Sequence, residues 1–182
     1  MLLTRLAVAA AVALGAIPAH AADPTATLDR TFVEYVGTGP IGNNNLHSTD
    51  LHWMFESSGS YGGQAVNSWF LIWEPTFARV RGSVAFDAPI LFVEYDQAGM
   101  IATAAFGKPG VVYDYSNADI GLESIDRAGT SVAGSTLTIA WNANDPGDHV
   151  RVLTAIPEPQ THALMAAGLG MLSWLARRRR TG

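Results

Sequence analysis

The chain has 182 residues, no cysteine and a formal net charge of −5, with 48% of its residues hydrophobic. Without thiols, disulfides, cysteine nucleophiles and Cys-ligated metals are all excluded. The overall charge hides an imbalance, because between residues 22 and 155 fifteen Asp and Glu stand against six Lys and Arg; so acidic a segment is a poor partner for nucleic acid or anionic lipid.

At the amino end, Arg5 and the α-amine precede an uninterrupted apolar run over residues 6–17, which Pro18 ends. Ala19-His20-Ala21 then supplies the small-x-small pattern cut by signal peptidase, with cleavage expected before Ala22. The twelve apolar residues are too few to span a bilayer. Residues 1–21 are therefore a secretion signal, and residues 22–155 form one domain large enough to bury a core unaided.

That domain reads as strands. Residues 31–36 are rich in β-formers and lead into Gly37-Thr38-Gly39-Pro40-Ile41-Gly42. The glycine spacing is that of a dinucleotide loop, but such a loop must open a helix, and here Pro40 and Asn43-Asn44-Asn45 continue as turn chemistry. Residues 50–56 alternate, with Leu51, Trp53 and Phe55 on one face and Asp50, His52, Met54 and Glu56 on the other, as in a half-buried strand. A Gly/Ser loop over 57–63 comes next, and residues 69–73 are apolar on both faces, as in a central sandwich strand. Residues 79–87 and 90–95 are expected to pair as a hairpin about Ala88-Pro89. Residues 100–106 fit a strand or one short helix, 111–115 a strand, and 121–125 and 130–133 weaker strands. Finally 137–141 and 150–154 should close a hairpin through a type II turn at Asp145-Pro146-Gly147-Asp148. No amphipathic helix of any length appears. The expected fold is all-β, an antiparallel β-sandwich of jelly-roll type.

Candidate chemistry in this domain is sparse. His47, Asp50 and His52 lie close in sequence, but His47 is off the face shared by the other two, so zinc is not expected and the residues read as a solvated face and its loop. Asp114, Asn117 and Asp119, or Asn144, Asp145 and Asp148, offer the hard oxygens calcium prefers without the spacing of a calcium loop. Asx-rich turns have the same composition, so no metal or other cofactor is assigned. No G-x-S-x-G elbow or H-E-x-x-H is present. Tyr113 and Tyr115 on one strand face, with Tyr61 in a Gly-rich loop, would suit stacking on sugars, whereas Trp53, Trp69, Trp73 and Trp141 belong to apolar faces and to the core.

The last 27 residues, 156–182, are organised differently. Pro157-Glu158-Pro159 is a stiff, extended element. Residues 163–176 carry no charge, and Arg177, Arg178, Arg179 and Arg180 come after them. As a helix the apolar run would reach about 21 Å. That is short for a bilayer core of roughly 30 Å, a gap that snorkelling by Arg177 and local thinning can close. The arginines hold the carboxyl end on the cytoplasmic side. An ordinary stop-transfer anchor needs the apolar run and the basic flank but has no use for Pro-Glu-Pro.

This order of parts resembles the PEP-CTERM sorting signal. The resemblance implies export, a transient inner-membrane anchor, trimming by an exosortase, and release to the surface or to an exopolysaccharide matrix. More loosely, residues 79–154 resemble β-sandwich ectodomains that precede such tails, a likeness that carries no catalytic residue. Two functions are expected from the whole: a surface or extracellular-matrix protein without catalytic role, or a carbohydrate-binding module delivered by the same signal. A secreted hydrolase is a distant third.

Overall fold

The computed structural model describes residues 21–142, 147–156 and 168. By contacts the chain divides into Ala21–Pro157 and a second unit of Met1–His20 with Glu158–Gly182; every described strand belongs to the first. Ala19, Asp145, Pro157, Glu158, Pro159, the apolar run over 163–176 (Gly168 apart) and Arg177–Arg180 lie outside the described residues.

Nine strands are described: β1 (Thr25–Leu28), β2 (Phe32–Glu34), β3 (Leu51–Tyr61), β4 (Gln64–Trp73), β5 (Val80–Ala85), β6 (Ile90–Glu94), β7 (Ser131–Ala133), β8 (Thr136–Trp141) and β9 (Asp148–Ala155). They form two sheets, in the orders β1-β5-β8-β7 and β2-β3-β4-β9-β6. Inward residues of both sheets meet in one core, with Leu51, Trp53, Trp69, Leu71, Trp73, Val150 and Val152 from the larger sheet against Val80, Val84, Leu137, Ile139 and Trp141 from the smaller. The indole N–H groups of three core tryptophans keep partners: Trp69 donates to Thr154 Oγ1 at 3.2 Å, Trp141 to Thr130 Oγ1 at 2.8 Å and Trp73 to the Thr49 carbonyl at 3.3 Å. Burying these large rings is therefore not opposed by an unmet donor.

The all-β expectation holds in outline, with four differences of connection. β2 runs parallel to β3, so the sandwich is not purely antiparallel. A jelly roll has eight strands in two Greek keys; here nine are described, and the hairpins β3–β4 and β7–β8 each stay within one sheet. The expected hairpin of 79–87 with 90–95 does not form: β5 pairs with β1 and β8, whereas β6 crosses to the other sheet and pairs with β9. The expected terminal hairpin is likewise split, β8 lying in the smaller sheet and β9 in the larger. Alternation marks which face of each of these strands is buried, and in a sandwich that face is satisfied in either sheet.

The loop expected over 57–63 is mostly strand. β3 and β4 pair down to Tyr61 and Gln64 and turn through Gly62 and Gly63 alone, both at positive φ (57° and 79°). A two-residue turn of this kind matches the twist of its flanking strands and selects glycine.

Between β6 and β7 the chain is coil and short helices: the helix alternative holds for 100–106, and the strand readings of 111–115 and 121–125 do not. Residues 100–106 resolve into α1 (Gln97–Ala102), capped by Asp96 Oδ1 accepting the Gly99 N–H at 2.9 Å, and a 3-10 turn over Ala104–Phe106. Residues 111–115 make only one bridge, Ile41 with Tyr113, and the stretch read as 121–125 contains the start of α2 (Ser124–Ala128). α1 and residues 111–115 cover the outer face of the larger sheet, where Met54, Phe70 and Ile72 pack with Tyr35, Ile41 and Met100 in a second core, whereas α2 packs beside β8 of the smaller sheet. β3 is thus buried on both faces through Glu56 instead of half-buried as its alternation implied.

Candidate functional site

β9 is the strand on which the polar interior is built. Flanked by β4 and β6 in its sheet and buried from Asp148 to Thr154, it sends Val150 and Val152 into the inter-sheet core and His149 and Arg151 to the opposite, covered face. There Arg151 uses all five of its donors. Nε and Nη2 clasp the Glu56 carboxylate at 2.6 and 2.8 Å, Nη1 reaches the Met100 carbonyl at 2.9 Å and Thr103 Oγ1 at 2.6 Å, and Nη2 also reaches the Tyr115 hydroxyl at 3.0 Å. Its guanidinium lies 5.1 Å from the Phe70 ring centre and 5.9 Å from that of Tyr113. The partners come from β3, α1 and the coil after it, so one side chain fastens the cover to the sheet. Burial holds the Tyr113 and Tyr115 phenols well above the usual range and thus neutral.

One turn of the pleat away, His149 Nε2 meets Glu74 Oε1 at 2.6 Å, both side chains fully buried. The same carboxylate accepts the backbone N–H of Gly42 and, at 2.6 Å, that of Leu46. Glu74 is therefore the internal post around which the glycine-rich loop is wound. The loop reading of residues 37–42 stands, and no helix opens after it.

A third group lies where β9 begins. Glu123, Asp126 and Asp148 bring carboxylate oxygens within 4.8 Å of one another, with Glu123 exposed and the two aspartates buried. Asp126 Oδ1 accepts the Asn142 backbone N–H at 2.8 Å and its Nδ2 at 3.0 Å. Asp148 is fully buried, and neither of its oxygens has a hydrogen-bond partner among the described residues. Burial, with the charges of Asp126 and Glu123 beside it, pushes the Asp148 carboxyl up to about 9. Among the described residues this is the one group with metal-holding geometry.

The residues singled out from sequence fare unevenly. Asp148 is where chemistry gathers, with Glu123 and Asp126 beside it; the turn residues Asn144 and Asp145 named with it lie outside the described residues. Asp114 and Asn117 close Asx turns: Asp114 Oδ1 accepts Ser116 N–H and Asn117 Oδ1 accepts Asp119 N–H, each at 3.0 Å. His47, Asp50 and His52 form no metal-spaced group; His52 Nε2 pairs with Ser48 Oγ at 3.0 Å, and burial lowers its pKa against the pull of Asp50 and Glu74. The tyrosines named for sugar stacking are committed elsewhere. Tyr113 and Tyr115 pack in the second core, and Tyr61 donates to Glu94 Oε1 at 2.7 Å with its ring edge-on to Phe92. The open depression lined by Leu28, Asp29, Arg30, Thr31, Thr49 and Asp50 has no aromatic wall.

The residues missed were Glu56, Glu74, Glu123, Asp126 and Arg151. The signal for Arg151 was available: in His149-Val150-Arg151-Val152 a basic residue holds alternate positions of an apolar strand, which requires either solvent or a built partner on that face.

β9 ends at Ala155, and the next feature of the chain starts there. Residues 155–180 match the family model of the PEP-CTERM protein-sorting motif. The chain carries a PEP-CTERM sorting signal. Such a signal implies export, exosortase processing and sorting to the cell surface. The match covers the Pro157-Glu158-Pro159 element, residues 163–176 and the four arginines, and does not extend into the β-domain. No curated protein and no solved structure matches the chain. Among the described residues no helix is long and apolar enough to cross a membrane; the apolar run of the sorting signal lies outside them, Gly168 apart.

Proposed function

We propose that this chain is an exported, non-catalytic component of the cell surface or of an exopolysaccharide matrix, whose β-domain is the delivered cargo. Its leader, residues 1–21, is removed before Ala22 by signal peptidase. Its tail is held transiently in the inner membrane by residues 163–176 with Arg177–Arg180 cytoplasmic, and an exosortase then cuts it. The observation that carries the reading is the sorting motif beginning at the last residue of β9. A cut anywhere after Ile156 leaves every described strand intact. At the other end, the Ala22 nitrogen already donates to Asp87 Oδ2 at 2.8 Å, so cleavage before Ala22 would place the new ammonium on a carboxylate. The carbohydrate-module alternative loses its platform, since Tyr61, Tyr113 and Tyr115 serve packing.

Intact-mass measurement after expression with and without an active exosortase tests this directly. The expected products are a full-length tail without the protease and a trimmed one with it. Replacing Glu158 should block trimming while leaving insertion unchanged, and neutralising Arg177–Arg180 should impair retention, because stop-transfer rests on those charges. A full-length protein persisting beside a matched, active exosortase would sink the proposal.

A further inference from the structure

We propose that Glu123, Asp126 and Asp148 form a calcium site that clamps the start of β9 to α2. Two observations meet here. The three carboxylates converge within 4.8 Å, and one of them, Asp148, is fully buried with both oxygens lacking any donor among the described residues. A buried carboxylate without hydrogen bonds is strongly disfavoured as an anion, so such a side chain is retained in that state only with a positive partner. The charges acting on Asp148 are those of Asp126 and Glu123, both negative, and the one arginine on α2, Arg127, is turned to Asp96 at 3.2 Å. A bound cation would supply the positive partner.

The donor set selects its kind. All three ligands are carboxylate oxygens, with no nitrogen or sulfur, which suits a hard ion and disfavours zinc or copper. Calcium accepts irregular geometry and mono- or bidentate carboxylates, whereas magnesium demands a near-ideal octahedron and keeps most of its water. The ligands come from a short helix with its preceding residue and from the first residue of a strand, a mixed set that calcium tolerates better. Burial is graded, from exposed Glu123 to nearly closed Asp126 to closed Asp148, so the group has a solvent side by which an ion enters. The site also joins parts that are otherwise held by a few backbone contacts: Gly121 bridges both Asp96 and Asp148, and the His149 N–H donates to the Gly121 carbonyl at 3.1 Å. An ion there would tie α2, beside β8 of the smaller sheet, to the start of β9 in the larger one once the protein is outside the cell.

The competing occupant of Asp148 is a proton, and the experiment separates the two. The mature protein recovered from its producing cells is stripped with EDTA and its Tm followed against calcium chloride at neutral pH, with magnesium chloride at equal concentration as control. The expected result is a saturable rise in Tm, as linkage requires of a native-state ligand, with a midpoint of about 0.1–1 mM, the range of extracellular modules. Glu123→Gln, at an exposed position, should keep the fold and weaken the midpoint about tenfold, while Asp148→Asn, which imitates the protonated acid, should abolish the response and keep a strand-dominated circular dichroism spectrum. A Tm indifferent to calcium overturns the site in favour of the proton. A rise of equal size with magnesium, or one that survives both substitutions, overturns it as well, since the ion then acts elsewhere or by screening. Should Asp148→Asn fail to fold, the Glu123→Gln midpoint decides alone.

Discussion

Arg151 shows how a single residue can decide what the covered face of a sheet becomes. Its guanidinium is wholly buried and has every donor met, by Glu56, Thr103, Tyr115 and the Met100 carbonyl. A buried pair of this kind adds little over a well-packed apolar substitute, but removing one partner strands the other charge at a cost of about 3–5 kcal/mol. Arg151→Met should therefore destabilise the protein by about that amount, with Glu56→Gln in the same chain recovering a large part of it. Urea unfolding of the two single variants and the double variant measures the coupling; additive losses would mean that the pair is not a unit. The sequence showed the arginine but not its partner, because Glu56 lies 95 residues away and joins it only when β3 and β9 flank β4 in one sheet.

At the scale of elements, close approach matters as much as pattern. β1 is a four-residue edge strand, held along β5 in a register that sets Leu28 against Gly82. Gly82 has φ of 141°, and a Cβ there would lie 2.1 Å from the Thr27 carbonyl oxygen, backbone that cannot swing aside. Gly82→Ala should push β1 off the sheet at a cost of about 1–3 kcal/mol, the range for overpacking. The loss should show as faster amide exchange over Thr25–Leu28 before any change in β3 or β4; unchanged protection of β1 would refute the account. In sequence Gly82 alternates with the charged positions as Val80 and Val84 do, but alternation records burial and not the nearness of another backbone. The same limit explains why residues 111–115 and 121–125, between β6 and β7, were read as strands. Val111, Tyr113 and Tyr115 do share an apolar face, but they pack it against the outside of the larger sheet instead of extending that sheet.

For the molecule as a whole, the two ends and the body obey different rules. The amino end is expected to matter only after processing. With cleavage before Ala22, the terminal ammonium falls where the backbone N–H now meets Asp87 at 2.8 Å, and an exposed pair of this kind contributes about 0.2–1 kcal/mol and is screened by salt. Asp87→Asn should accordingly lower the stability of the exported form slightly at low salt and not at high salt, as read by paired thermal melts; a loss that persists in strong salt would point to the hydrogen bond alone. The sorting signal was legible in the chain by itself, since such a tail is recognised as a short linear array of proline, apolar length and charge, which needs no fold to be read. So were the all-β class, the central burial of β4 and the core tryptophans, because period-2 alternation and continuous apolar runs depend only on neighbours in sequence. Only the tertiary structure decided which sheet each strand joined, that β3 was covered on both faces, and that Asp148 met Glu123 and Asp126. Those are contacts between residues tens of positions apart, set by how two sheets and a covering segment share buried volume, and no local pattern encodes them.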